Sequence, residues 1–232
     1  MSTLLTLEVA CLTMNWEIAA SCVSAGVGIL ALFVSLRQGR TANRQSLFDR
    51  RLKIWITVEK LMQLYADNSD LLKIDDGPQF AVDEEFKWLT NTTLLQEITP
   101  AISHALETEN QLRFHLKIDE MKSLSAEAAF VFKGKPKTRI AEFIDAYQAL
   151  LFGMYRYQIV LNAMQADRES FRWTLEETIE KLGEKRHRAE LCDVEDRLAT
   201  AYELLNNKRL IGSIRRQIRL DSTPFDYLNT FR

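Results

Sequence analysis

Glu184-x-x-His187 is the one acid-histidine spacing in this chain that could seat a metal, because residues three apart share a helix face. A di-metal site in a helical bundle needs that motif twice, with two further carboxylates. His104 and His115 stand in no second copy of it, so the run from Glu184 to Glu190 is expected on a solvated face. Gly134-Lys135-Pro136-Lys137-Thr138 has the composition of a phosphate loop. It lacks the first glycine at the required spacing and puts proline where a backbone donor is needed, so it reads as a helix-to-helix turn. The adjacent acids Asp119-Glu120 and Glu176-Glu177 diverge around a helix and cannot work as an acid/base pair. No catalytic residue, cofactor, metal or small-molecule ligand is expected.

The element that would position everything else is the uncharged run Ile18–Leu36, IAASCVSAGVGILALFVSL. At ~1.5 Å per residue a helix of this length rises about 28 Å, close to the ~30 Å hydrocarbon thickness of a bilayer. Trp16 stands at its entry, and no Lys or Arg precedes it, whereas Arg37, Arg40, Arg44, Arg50, Arg51 and Lys53 follow. The bias of positive charge toward the cytoplasm then puts residues 1–15 outside, 16–37 across the bilayer and 38–232 inside. Met14 is an alternative start that would shorten the outer segment to Asn15, Trp16 and Glu17. A cleaved signal peptide or a lipidated Cys22 would call for a basic segment before the apolar core, and the flank carries only Glu8 and Glu17. In this topology Cys11, Cys22 and Cys192 share no compartment, which leaves neither a disulfide nor a metal framework. Ala20, Ser24, Gly28, Ala31 and Ser35 recur at spacings that stack small side chains on one face, suited to close helix–helix approach in lipid.

The chain carries 30 basic and 32 acidic residues, two of the acids before the anchor, so the part beyond it is formally neutral. That balance argues against a nucleic-acid binder. With 8 Gly and 4 Pro, the composition predicts an all-α domain, a cytoplasmic bundle of long antiparallel helices. The spanning helix is expected to run on through Leu47, Phe48, Leu52, Trp55, Val58, Met62 and Tyr65, with Gly39 the one place for a bend. A turn over 74–80 follows, then a short helix near Glu84–Leu89. Thr99-Pro100 reads as a cap and first turn opening a helix through Leu106, Leu112, Leu116 and Met121 toward Phe130. From Pro136 to Ala166, Ile140, Ile144, Tyr147, Leu151, Met154, Gln158 and Leu161 form a coiled-coil-like seam. A further long helix is expected from Phe171 to Leu205, its wet face supported by Glu177 with Lys181 and Glu184 with Arg188. The basic segment Lys208–Leu220 is amphipathic and is expected to pack its apolar face on the bundle rather than lie on lipid.

Leu47-Phe48-Asp49-Arg50-Arg51-Leu52 with Trp55, and Ala129-Phe130-Val131-Phe132-Lys133-Gly134, resemble two segments of a group of uncharacterised bacterial inner-membrane proteins. Those proteins have one spanning helix, an LFDRR-like juxtamembrane segment and a helical cytoplasmic domain. The resemblance implies that architecture over most of this chain, with a longer connection at residues 75–100, and brings no activity with it. The expected function is a membrane-anchored interaction or scaffold protein. Its partners are the lipid bilayer and either a second copy or another protein, met through the cytoplasmic helices. The rival expectation is a membrane-acting effector, of toxin or anti-phage defence type, that oligomerises through the small-residue face.

Overall fold

The computed structural model describes residues 2–70, 82–169 and 174–219, with side chains at Ser21 and from Ser24 onward, that of Leu175 excepted. Among the described residues there is no strand. The helices are α1 (Ser2–Asn68), α2 (Val82–Leu89), α3 (Pro100–Ser103), α4 (Thr108–Val131), α5 (Lys135–Glu169), α6 (Leu175–Leu182), α7 (Glu184–Leu205) and α8 (Lys208–Ile218), with a 3-10 turn at Gln96–Ile98. The chain divides into two compact units, Met1–Phe48 and Asp49–Arg232, the boundary falling within α1.

The described residues of the first unit are helix throughout, and the helix passes through Gly39 without a break. Among the described residues no helix is long and apolar enough to cross a membrane. The continuous description of side chains begins at Ser24, inside the apolar run, and Ser24–Leu36 accounts for only ~20 Å of rise.

The second unit is built around α5, which touches α2, α3, α4, α6, α7 and α8. Ile140, Phe143, Ile144, Tyr147, Leu150, Leu151, Met154 and Tyr157 are all buried, a wider contact than one seam provides. Against α4, Phe114 stacks on Tyr155 and Ser125 donates toward the Ala141 carbonyl, so residue numbers rise on one helix as they fall on the other. The same antiparallel register holds against α7, where Phe143 meets Tyr202 and Arg156 meets Glu190. The turn between α4 and α5 is made by Gly134 at φ +64°, a left-handed conformation that glycine adopts without a Cβ clash. Within the second unit, α1 contributes buried Ile54, Trp55, Val58, Leu61, Met62 and Tyr65, the last against Tyr202 of α7.

Two expected long helices are each two. Pro100 does open a helix, but α3 stops at His104 and α4 starts at Thr108. Thr99 has helical backbone and no capping bond; its hydroxyl lies 2.9 Å from that of Thr90. The buried face of α4 is Phe114, Ile118, Met121, Ser125 and Ala128, spaced four, three, four and three, while Leu106, Leu112 and Leu116 are exposed. The second break is Gly183, at φ +66° between α6 and α7. Glu177 completes a capping box with Thr174 there, so α6 opens at Leu175; Phe171 lies outside the described residues, as does the turn expected over 74–80.

At the α5–α7 crossing a Cβ on Gly153 would stand 3.3 Å from both Leu191 Cδ1 and Val194 Cγ2. Gly153→Leu is therefore expected to overpack this crossing and cost about 1–3 kcal/mol. A lower denaturation midpoint by far-ultraviolet circular dichroism checks it, against Gly212→Ala, whose site is open and whose midpoint should hold or rise.

Candidate functional site

In the first unit, Ser24, Gly28, Ala31 and Ser35 are exposed, and a Cβ on Gly28 would meet nothing within 4 Å; the side chain of Ala20 lies outside the described residues. Ile29, Leu30, Leu32 and Phe33, at 62–69% exposure, lie on the side of the helix away from these small residues. Among the described residues of this unit none covers them. Of the expected basic set, Arg37, Arg40, Arg44, Arg50 and Lys53 are exposed.

Arg51 is different. Its Nε donates to the Val131 carbonyl and its Nη1 to the Gln217 carbonyl, each at 2.7 Å, and the guanidinium lies 6.0 Å from the centre of the Phe132 ring. One cation thus caps the C-terminal ends of α4 and α8, where carbonyls lack helical partners and the helix dipole favours positive charge. Gln217 completes the clasp, its Oε1 accepting from Lys133 N at 2.9 Å and its Nε2 donating to Lys133 O at 3.0 Å. The apolar face of α8 packs inward as expected, with Ile214 and Ile218 buried, and Asn207 caps its start by accepting from Arg209 N and Leu210 N. The turn once comparable to a phosphate loop is part of this joint. Beside it Phe130 is 88% exposed.

Glu184 is not on a solvated face. It is 3% exposed, accepts from Tyr157 Oη at 2.7 Å, and lies 3.6 Å from Arg188. Burial, then the bond to Glu184, pushes the Tyr157 hydroxyl well above its usual pKa. His187 turns to Glu190 at 3.7 Å instead, and His104 to Glu107 at 3.4 Å. Among the described residues no group of His, Cys, Asp and Glu could hold a metal ion. Lys117 is nearly buried between Glu97 (2.5 Å) and Glu120 (2.6 Å). Burial alone would lower its pKa, but bonds to these two carboxylates raise it above the usual value. Glu85 was not anticipated: it is 3% exposed, its Oε2 makes no hydrogen bond, and burial, reinforced by Asp83, pushes its pKa up to about 7. Comparison with protein-family models, with curated proteins and with solved structures finds no match to this chain.

Two predictions follow from these burials. Arg51→Lys keeps the charge but not the two-carbonyl fork, and is expected to lower stability by about 1–2 kcal/mol in denaturant titrations, with Arg50→Lys neutral. For Glu85, a folded-state pKa of about 7 against an ordinary 4.5 means the folded chain holds the proton more tightly. Stability from this group is intact below about pH 4.5 and is lost as pH rises through 7, by up to about 3 kcal/mol. Glu85→Gln should remove that slope, so the variant gains on the parent between pH 5 and pH 8 in unfolding free energies measured across the range.

Proposed function

We propose that this protein is a single-pass inner-membrane protein, with its N-terminal end outside and a cytoplasmic helical domain that binds a second copy or another protein. The observation that carries the reading is the helix over Ser24–Leu36, exposed and without a charge on any side, continuing an uncharged run that begins at Ile18 and is closed by Arg37 and Arg40. An uncharged, uncovered helix of mostly apolar residues suits a non-aqueous surrounding, and the run Ile18–Leu36 is close to the ~30 Å of a bilayer's hydrocarbon core. Positive charge on one flank only supplies the orientation. The resemblance of the LFDRR and AFVFKG segments to single-pass inner-membrane proteins points the same way.

An interaction role, rather than an enzymatic one, is supported by how the polar groups are used. Tyr157, Glu184, Lys117 and Arg51 are each engaged by neighbours within the bundle, and Leu106, Leu112 and Leu116 give the domain exposed apolar surface. The open small-residue face around Gly28 supports the second reading, an effector that assembles through its spanning helix.

The test is extraction and topology of the full chain expressed in bacteria. It is expected to remain with membranes in alkaline carbonate, and a tag after Arg232 is expected to resist protease added to intact cells. In-cell crosslinking at Leu112→Cys, in a chain without its other cysteines, should capture a partner. Release by carbonate, or cleavage of the tag from outside, would reject the anchored reading. Membrane leakage on expression that is abolished by Gly28→Leu would select the effector reading over the scaffold.

A further inference from the structure

We infer that the open side of the α5–α7 crossing is a self-association face, on which a second copy of this chain docks about a two-fold axis with α5 against α5 and α7 against α7. The inference rests on the interaction role proposed above, names its partner and its site, and does not need the spanning helix.

One side of α5, from Gln148 to Arg156, and one side of α7, from His187 to Arg197, line an open groove of about 420 Å³. Its floor is apolar: Ala149, Phe152, Gly153 and Val194 are half-buried and Leu191 is buried. Along α5, Asp145, Ala149, Phe152 and Arg156 are spaced four, three and four, so they share one helix face with an acid at one end and a base at the other. On the facing wall, Asp193 and Arg197 repeat that arrangement one turn apart on α7.

These charges are not used up within one copy. Asp145, Asp193 and Arg197 are exposed and make no ion pair among the described residues. Arg156 lies 3.5 Å from Glu190, but that carboxylate is shared with Arg186 at 2.9 Å and His187 at 3.7 Å. An acid and a base held apart on one face are what an isologous contact uses, because residue i then meets j while j meets i.

Both helices call for the same axis. Pairing Asp145 with the partner's Arg156 in antiparallel helices puts the axis between Leu150 and Leu151; pairing Asp193 with the partner's Arg197 puts it at Glu195. Within one copy, Phe143 meets Tyr202, Gly153 faces Leu191 and Val194, and Arg156 meets Glu190. Those contacts set Glu195 level with Leu150 and Leu151, so a single axis serves both pairs. Glu195 itself shares the side of Tyr202, seven residues on, which meets Tyr65 of α1 away from the groove. In this register Phe152 falls opposite the partner's Ala149, large against small. No like charges oppose each other across the groove: Glu142 falls opposite the partner's Ile159, Glu190 opposite the partner's Thr200 and Arg186 opposite the partner's Leu204. The apolar floor supplies attraction and the exposed pairs fix the register. A different protein would have no use for two acid-base pairs centred on one axis.

The test follows self-association of the full chain in a density-matched detergent by sedimentation equilibrium. The parent is expected to form dimers. Asp193→Lys and Arg197→Glu each set like charges against each other twice in the dimer, and each alone is expected to weaken association by about tenfold or more, less so in high salt. Both sites are exposed, so thermal unfolding should stay that of the parent. An equimolar mixture of the two variants should regain the parent's association, because every introduced charge then meets its opposite on the other chain, and so should the double variant Asp193→Lys, Arg197→Glu. A dimer that neither variant weakens would overturn this face and move self-association elsewhere, such as the spanning helix. Weakening by both variants without rescue in the mixture would overturn the pairing. A parent that stays monomeric would overturn the second copy as partner; capture of a different protein by crosslinking at Leu112→Cys would then leave the interaction role standing, and no capture would remove both.

Discussion

Burying one helix on nearly every side creates a debt of polar groups, and the way α5 settles it determines much of the second unit. Three of its tyrosines reach out of the core by their hydroxyls. Tyr147 donates to the Leu89 carbonyl at 2.7 Å, Tyr155 to the Ala105 carbonyl at 2.5 Å, and Tyr157 to the Glu184 carboxylate. Leu89 is the last residue of α2, Ala105 follows the end of α3, and Glu184 opens α7. Each hydroxyl thus satisfies a group at a helix terminus, where backbone or side-chain partners are short. Left without these acceptors, three phenols would be buried unpaired, at about 1–3 kcal/mol each. The irregular stretch between α2 and α4 is therefore fixed by α5 rather than by its own hydrogen bonds alone, with Lys117 bridging to Glu97 as a second fastening from α4.

How much of this the sequence could disclose depends on which physical signal was local. The α1 stripe at Trp55, Val58, Met62 and Tyr65 and the α5 seam at Ile140, Ile144, Tyr147, Leu151 and Met154 were legible because apolar period and burial coincide there. In α4 they do not. Leucine is the stronger apolar cue, yet the buried stripe runs through Phe114, Ile118, Met121, Ser125 and Ala128, and its heptad spacing was there to be read in smaller residues. Gly183 and the Thr174–Glu177 capping box also carried visible signals for the break before α7. The break at His104–Glu107 had none: no glycine or proline marks it, and the Tyr155 hydroxyl that holds Ala105 comes from fifty residues away.

The clasp shows the same division. Arg51 reads in sequence as one more basic residue after an apolar run, indistinguishable from Arg50. Only the tertiary arrangement makes Arg50 a solvated charge and Arg51 a cap on two helices. A guanidinium suits that task because its planar fork reaches two carbonyls that a lysine ammonium would have to choose between. Glu184 makes the complementary point. Its sequence context is a run of charge, but its position beside Gly183 starts α7 against α5, and the backbone there leaves the carboxylate under Tyr157.

These arrangements bear on how charge is segregated in the second unit, which carries 27 basic and 30 acidic residues. Residues 128–141 and 204–220 hold basic residues and no acids, although each segment abuts acid-rich helix in sequence. Grouping cations in these two segments raises their mutual repulsion, while the buried residues Val131, Phe132, Ile214 and Ile218 are apolar and need no charge. Interspersed Glu at Thr138 or Ser213 would have relieved the repulsion without touching those residues.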